Sequence, residues 1–154
     1  GSGTIFWFDL SFKKVLNEHV DEETQEEEDS NIIAGKKILL VEDNQMNIMV
    51  AEKFLKKWEL FVEIAYNGEE GVEKMKNNTY DLVLMDLQMP IMDGYKATRK
   101  IRMFDEKTPI IALTASALLK VRQDVMAAGM NDYITKPFDP SELKRKIAVY
   151  IKNQ

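Results

Sequence analysis

The sequence predicts an α/β fold in which five short parallel strands form one doubly wound sheet with helices on both faces. From Lys36 onward, short apolar runs alternate with longer stretches whose apolar residues recur at helical spacing. The short runs are apolar on both faces of the strand, which is typical of parallel strands buried between two helix layers. A strand, a helix and a parallel strand follow one another by right-handed crossovers. These observations favour a single α/β domain over residues 36–154.

Five strands and five helices account for this domain. The strands are predicted at the apolar runs KILLVE, FVEIAY, DLVLMD, PIIALT and DYIT. The helices are predicted near residues 45–58, 68–77, 93–104, 117–128 and 139–152. Local signals support three helix ends, because Asp93 can cap the third helix, Gly129 can end the fourth, and Asp139 before Pro140 can open the fifth.

Charge divides the chain into an acidic segment and a nearly balanced remainder. Eight of the 26 acidic residues lie between Glu18 and Asp29, where there is no Lys or Arg, and 18 acids face 21 bases elsewhere. This segment has almost no apolar residue to bury, so we expect an acidic, disordered linker over residues 17–35. It would separate a short head, residues 1–16, from the main domain.

The composition of the chain indicates how many domains it forms, in which compartment it lies and which kinds of partner it lacks. A chain of 154 residues that is 45% hydrophobic can bury one core. It has no cysteine, which fits a reducing compartment such as the cytoplasm. The sequence has no apolar run of the roughly 18 residues that a membrane span needs and no signal-peptide pattern, so we expect no membrane contact. We also expect no nucleic-acid binding, since the bases of the third helix are interpreted as a solvated face: Lys96, Arg99, Lys100 and Arg102.

Polar and charged residues follow four of the five predicted strands. They are Glu42 and Asp43 after the first strand, Asp86 at the end of the third, Thr114 at the end of the fourth, and Lys136 after the fifth. The carboxyl ends of parallel strands lie at one edge of a doubly wound sheet, where ligands bind. We therefore expect three carboxylates, a hydroxyl and an ammonium to converge there.

A cluster of carboxylates needs a cation. Two carboxylates about 4 Å apart repel by roughly 4 kcal/mol at an effective dielectric of about 20. Ligand oxygens without His or Cys favour a hard cation, and room for water and phosphate favours Mg²⁺ over Ca²⁺. Lys136 and Thr114 can then hold phosphoryl oxygens, which leaves Asp86 as the nucleophile. An aspartate after a strand is often only a turn former, so this interpretation depends on the whole set.

Four motifs carry a resemblance to a known family. In this order and spacing, VEDNQMN, MDLQMPIMDG, ALTAS and DYITKPF resemble the receiver domain of two-component signalling, particularly those attached to hybrid histidine kinases. The resemblance covers residues 36–151 and implies the flavodoxin-like strand order 2-1-3-4-5. It implies that Asp86 accepts a phosphoryl group from phosphohistidine. It also implies that Asp43, Asp86 and the backbone carbonyl of Gln88 ligate Mg²⁺, with Glu42 acting mostly through water.

The resemblance assigns further roles around the phosphoryl group. Lys136 would pair with it, Thr114 would move toward it, and Tyr133 would be the aromatic residue whose rotamer reports the switch. The bond between Lys136 and Pro137 would be cis. A domain of this kind would promote its own phosphorylation and dephosphorylation, with a histidine kinase or a histidine phosphotransfer domain as its partner.

Other functions fit the motifs less well. An FMN carrier of the same fold would need a hydroxyl- and glycine-rich loop after the first strand, where EDNQMN is acidic. A phosphatase with an aspartyl nucleophile would carry a second acid where this chain has Gln88. The sequence has no nucleotide-binding glycine motif, so no organic cofactor is expected. A degenerate receiver that only binds a partner remains the alternative, against which the acidic pair, Asp86 and Lys136 argue.

The head, GSGTIFWFDLSF, alternates like a strand with one buried face formed by Phe6, Phe8, Leu10 and Phe12. It resembles the last glycine motif and final strand of a histidine kinase ATP-binding domain, which suggests the C-terminal part of a hybrid sensor kinase, cytoplasmic or membrane-anchored. An exposed strand edge of this kind favours self-association. The single histidine, His19, lies in the acidic segment without the helical context of a phosphodonor, so the phosphoryl group would arrive from elsewhere.

Overall fold

The computed structural model describes residue 3, the backbone of residues 12–21 and all of residues 22–154. Its centre is a parallel sheet in the order β2-β1-β3-β4-β5. The strands are β1 (Lys37–Val41), β2 (Phe61–Ala65), β3 (Leu82–Asp86), β4 (Ile110–Thr114) and β5 (Asp132–Thr135). The predicted fold class and strand order are confirmed.

The described residues form six helices. They are α1 (Phe12–Ile33), α2 (Gln45–Lys57), α3 (Gly68–Asn77), α4 (Gly94–Arg102), α5 (Leu119–Ala128) and α6 (Pro140–Lys152). The last five begin and end within two residues of the predicted helices. The predicted end signals are present, since Asp93 and Asp139 accept hydrogen bonds from the first backbone N–H groups of α4 and α6, and Gly129 ends α5 at φ 99°.

Two apolar clusters cover the two faces of the sheet. Successive residues of β1 alternate between them, so that Leu40 packs with α2 and α6 while Leu39 packs with α3, α4 and α5. Every residue of β3 and β4 is buried. Because these strand interiors are apolar, their polar side chains lie only at the carboxyl ends, at Asp86 and Thr114.

The acidic segment is helical, and the prediction of a disordered linker over residues 17–35 was wrong. Helix α1 spans Phe12–Ile33, a stretch without Gly or Pro that is rich in the strong helix former Glu. Its end is also anchored, since Ile33 is fully buried in the cluster beneath α6. The acidic composition of the segment favoured a prediction of disorder, although Ile33 at its end is buried in the core.

The predicted head strand lies mostly outside the described residues. Phe6, Phe8 and Leu10 are not among them, so the strand itself stays a prediction, whereas Phe12 begins α1 and residues 12–16 are helical. In the part of the chain that the structure describes, no helix has both the length and the apolar character needed to cross a bilayer.

Candidate functional site

Six of the seven predicted site residues meet in one cleft at the carboxyl edge of the sheet. The cleft has a volume of about 310 Å³. Its lining includes the five residues that follow or end the strands, namely Glu42, Asp43, Asp86, Thr114 and Lys136, and also Gln88. The parallel register of the strands brings these residues together from four separate parts of the sequence.

Lys136 joins two of the three carboxylates. Its Nζ lies 2.8 Å from Glu42 Oε2 and 3.0 Å from Asp86 Oδ1. Burial on its own lowers the pKa of Lys136, but the hydrogen bonds to Glu42 and Asp86 outweigh burial and raise it. Lys136 is therefore cationic at neutral pH and offsets part of the carboxylate charge.

The surroundings of Asp86 raise the pKa of its carboxyl group. Asp86 is 4% exposed, and burial raises its pKa to about 6, with a further contribution from repulsion by Glu42. Lys136 and the backbone N–H of Gln88, which is 3.4 Å from Asp86 Oδ1, act in the opposite direction without cancelling that rise. A bound cation would lower the free energy of this ionised carboxylate.

The three carboxylates fit a hard divalent cation. One oxygen each from Glu42, Asp43 and Asp86 lie within 4.8 Å of one another, and no other group of three such ligands occurs among the described residues. Asp43 is exposed while Glu42 and Asp86 are buried, so the cluster opens to solvent on one side. A site with few protein ligands and access to water suits Mg²⁺.

Two tight local structures fix the walls of the cleft. The backbone N–H of Asn44 donates to Glu42 Oε1 at 3.1 Å, and the Asn44 side chain caps α2. On the other side, α4 begins directly against the end of β3, where the N–H of Gly94 donates to the carbonyl of Leu87 at 3.1 Å. A Cβ atom on Gly94 would lie 2.1 Å from the carbonyl oxygen of Asp86, so only glycine fits there.

The two predicted switch residues differ in their position. Thr114 lines the cleft, where its Oγ1 accepts from the N–H of Ser116 and donates to the Ser116 carbonyl, both at 3.1 Å. The half-buried Tyr133 lies outside the lining, with Arg122 5.4 Å and Lys146 4.9 Å from the centre of its ring. The peptide bond between Lys136 and Pro137 is cis, as the resemblance implied.

Some residues of the site were not predicted from the sequence. Asn44, Asn47 and Tyr95 also line the cleft. Asn44 carried a usable signal, because an asparagine before a helical repeat is a common cap. Tyr95 carried none, since its approach to the cleft depends on how α4 packs.

A family model for the response regulator receiver domain matches residues 38–148. The chain belongs to this receiver family. The match covers β1 from its second residue, the other four strands and helices α2 to α5 in full, and it agrees with the motifs that carry the resemblance.

Curated relatives of this receiver domain are much longer proteins. Hybrid signal transduction histidine kinase G of Dictyostelium discoideum is 45% identical over 119 residues, which is 74% of this chain and 4% of that protein. Histidine kinase 5 of Arabidopsis thaliana is 33% identical over 171 residues, covering 93% of this chain and 18% of that protein. The chain thus spans less than a fifth of the length of these relatives.

Solved receiver domains have the same fold. One is from a sensor histidine kinase of Pseudomonas aeruginosa, with a magnesium ion in its active-site cleft; it is 44% identical, with a TM-score of 0.73 over 77% of this chain and 99% of that one. Another is the receiver of a Saccharomyces cerevisiae response regulator, crystallised with a histidine phosphotransfer protein. It is 32% identical, with a TM-score of 0.73 over 77% of this chain and 90% of that one.

Asp86→Asn is expected to stabilise this receiver domain at pH 7 in the absence of metal, by about 1 to 2 kcal/mol. The folded pKa of Asp86, about 6, lies above its ordinary value of 3.8. Ionised Asp86 therefore destabilises the fold fully above pH 6 and not at all well below pH 3.8, while the asparagine of the variant does not titrate. Urea unfolding in EDTA should show a higher free energy of unfolding for Asp86→Asn than for the wild type, and this difference should become smaller as the pH falls to 4. An equal or greater stability of the wild type at pH 7 would contradict this.

Proposed function

We propose that this receiver domain accepts a phosphoryl group from a phosphohistidine onto Asp86 in a two-component phosphorelay. The observation behind the proposal is the setting of Asp86, a buried carboxylate that pairs with Lys136 and lies in one cluster with Glu42 and Asp43. Mg²⁺ would bind Asp43, Asp86 and the backbone carbonyl of Gln88, with Glu42 acting through water. When bound, the metal neutralises negative charge as the phosphoryl group transfers.

Different side chains of the cleft have different roles in phosphoryl transfer. Lys136 and the N–H of Gln88 both donate to Asp86 Oδ1, and among the described residues nothing donates to Oδ2, so Oδ2 is the nucleophile we assign. Oδ2 forms the new bond to phosphorus, while the bond from phosphorus to the imidazole nitrogen breaks and its electron pair stays on that nitrogen. The Lys136 ammonium pairs with phosphoryl oxygens, and Thr114 Oγ1 donates to one by leaving the Ser116 carbonyl. The Thr114 movement and a rotamer change of Tyr133 would be the switch.

A degenerate receiver is not favoured by these residues. Such a domain need not retain a buried acceptor, an acidic pair and a lysine within hydrogen-bond distance, and this chain has all three. The parent chain is proposed to be a hybrid histidine kinase, cytoplasmic or membrane-anchored. The long histidine kinases among its relatives and the resemblance of the head to a kinase ATP-binding domain support this.

Exposed apolar side chains beside the cleft support a protein phosphodonor. Met46, Met49 and Val50 on α2 are 68%, 62% and 42% exposed, and they follow Asn44 at the rim. Ile91 and Leu118, on the loops after β3 and β4, are 77% and 69% exposed. An apolar rim around a charged centre suits a partner that presents a phosphohistidine on an apolar helix face.

Transfer from a histidine phosphotransfer protein carrying labelled phosphohistidine tests the proposal. The label should move to the wild-type chain in Mg²⁺ and remain on the donor with Asp86→Asn. Met49→Glu should slow transfer from the protein donor at least about tenfold through loss of an apolar contact, without slowing labelling by acetyl phosphate. The matched control is Met126→Glu, since Met126 is 58% exposed on α5. Labelling of Asp86→Asn to the wild-type extent would overturn the acceptor assignment.

Self-association through the head is a separate proposal that rests on its alternating apolar residues. Light scattering should show that the apparent mass increases with concentration. Replacement of Phe6 and Phe8 by serine should remove that increase. A constant monomer mass for the wild-type chain would end this proposal without affecting the phosphoacceptor assignment.

A further inference from the structure

Helix α1 is packed onto the receiver domain along its second half. Ile33 is fully buried and Ile32 partly buried in the cluster that α6 covers. Asp29 is 7% exposed and accepts a hydrogen bond from the Gln25 side chain at 3.0 Å. The burial of Asp29, Ile32 and Ile33 makes residues 29–33 part of the folded domain rather than a tether.

The connection from α1 to β1 is short and fixed. Only residues 34–36 separate the two elements. The N–H of Gly35 donates to the Glu59 carbonyl at 2.9 Å, and the N–H of Lys36 donates to the Ile33 carbonyl at 3.1 Å. Because β1 starts at the amino edge of the sheet, opposite the phosphoacceptor cleft, α1 ends at that edge.

Helices α1 and α6 run parallel. The side chain of Lys144 donates to the carbonyl of Glu26 at 3.1 Å, and Lys152, two turns later on α6, pairs with Glu28 at 3.1 Å. Glu22 shares a surface groove with the first residues of α6. Since α6 starts just after Lys136 at the cleft edge, the N-terminal end of α1 points to that edge.

Helix α1 is longer than α6, so its N-terminal part runs past the start of α6. Helix α1 has 22 residues and α6 has 13, which correspond to about 33 Å and 20 Å. If Glu22 is level with the first turn of α6, the ten helical residues before it run about 15 Å beyond the start of α6. This extension lies beyond the carboxyl edge of the sheet, which is the edge that carries Asp86.

We propose that α1 is a docking strut, which holds the part of the chain that precedes it at the phosphoacceptor edge on the outer side of α6. The occupant that we infer for this edge is the preceding domain of the same chain, since the chain spans less than a fifth of the length of its relatives. This inference rests on the proposed function for its meaning, because a donor domain attached there would be delivered to the edge that carries Asp86. The geometry of the strut itself does not depend on phosphorylation.

Pairs of spin labels test the direction of the strut, and the absence of cysteine from the chain makes each pair unique. Labels at Glu22→Cys and Ser141→Cys should give a short, narrow distance distribution by double electron–electron resonance. The distance between labels at Glu22→Cys and Asn153→Cys should be longer by about 10 Å, since position 153 lies about 18 Å further along the axis of α6 and the two helices are about 10 Å apart. A label at Phe12→Cys, the first residue of α1, should likewise be nearer to position 141 than to position 153. The reverse order, or equally broad distributions for both pairs, would overturn the proposal.

Glu27→Pro provides a variant that should release the strut, with Glu27→Ala as its matched control. Glu27 is exposed in the interior of α1, where proline breaks the helix and alanine does not. The proline variant should broaden the distance between positions 22 and 141, and the alanine variant should not. Labelling of Asp86 by acetyl phosphate should survive in both variants. If acetyl phosphate does not phosphorylate Asp86 even in the wild type, the proposed function is rejected. If phosphorylation is normal but the spin-label distances are in the reverse order, only the strut is rejected.

Discussion

Gly94→Ala is expected to lower the free energy of unfolding by about 3 kcal/mol, because the added methyl has no space. Its Cβ would lie 2.1 Å from the carbonyl oxygen of Asp86 and 3.0 Å from the Asp86 carbonyl carbon. Both atoms belong to the backbone at the phosphoacceptor, so relief requires α4 or the end of β3 to shift. Urea unfolding measures the loss, and phosphorylation by acetyl phosphate should fall with it.

Gly71→Ala is the matched control for this substitution. Gly71 is also near the start of a helix, but its added methyl would meet the Val41 side chain at 3.1 Å rather than backbone. A side chain can adjust, and alanine favours the helix by up to about 1 kcal/mol over glycine, so the net effect should be within about 1 kcal/mol of zero. Equal losses in the two variants would show that contact with the Asp86 backbone is not the cause.

Mg²⁺ is expected to raise the melting temperature of the wild-type chain, and Asp43→Asn should remove most of that gain. Binding to the folded state alone adds about 2.7 kcal/mol at a hundredfold excess over the dissociation constant. Asp43 is the exposed member of the three-carboxylate cluster, so its replacement removes a ligand without leaving a buried group unpaired. Thermal melts with Mg²⁺ or EDTA measure the difference.

Asp93→Asn controls for the loss of a negative charge near the same edge. Asp93 caps α4 by accepting from the N–H of Lys96 at 2.8 Å, a role that asparagine retains, and it is not in the carboxylate cluster. Its Mg²⁺ response should match that of the wild type. A full response in Asp43→Asn would place the metal elsewhere.

The sheet and the cleft were predictable from the sequence because their signals are local and repeat. Each strand is a short apolar run bounded by polar residues, and the parallel arrangement requires the carboxyl ends to share one edge. Asp86 and Lys136, 50 residues apart, could therefore be placed together before their 3.0 Å contact was known. The helix ends followed from the capping side chains.

Features that depend on packing between distant elements could not be predicted in this way. Helix α1 was missed because eight acids dominate the segment, while its anchor is Ile33 at the far end. The placement of Arg122 and Lys146 around the ring of Tyr133 depends on how α5 and α6 meet β5. No spacing in the sequence indicates such a contact.

Intact mass after incubation with acetyl phosphate is the most direct measurement of whether Asp86 accepts a phosphoryl group. The wild-type chain should gain one phosphoryl group when Mg²⁺ is present and none in EDTA, because the carboxylate cluster repels an anionic donor until a cation offsets it. Asp86→Asn should gain none under either condition. Labelling of Asp86→Asn to the same extent as the wild type, or labelling of the wild type that is unchanged by EDTA, would contradict the assignment of Asp86 as a magnesium-dependent phosphoacceptor.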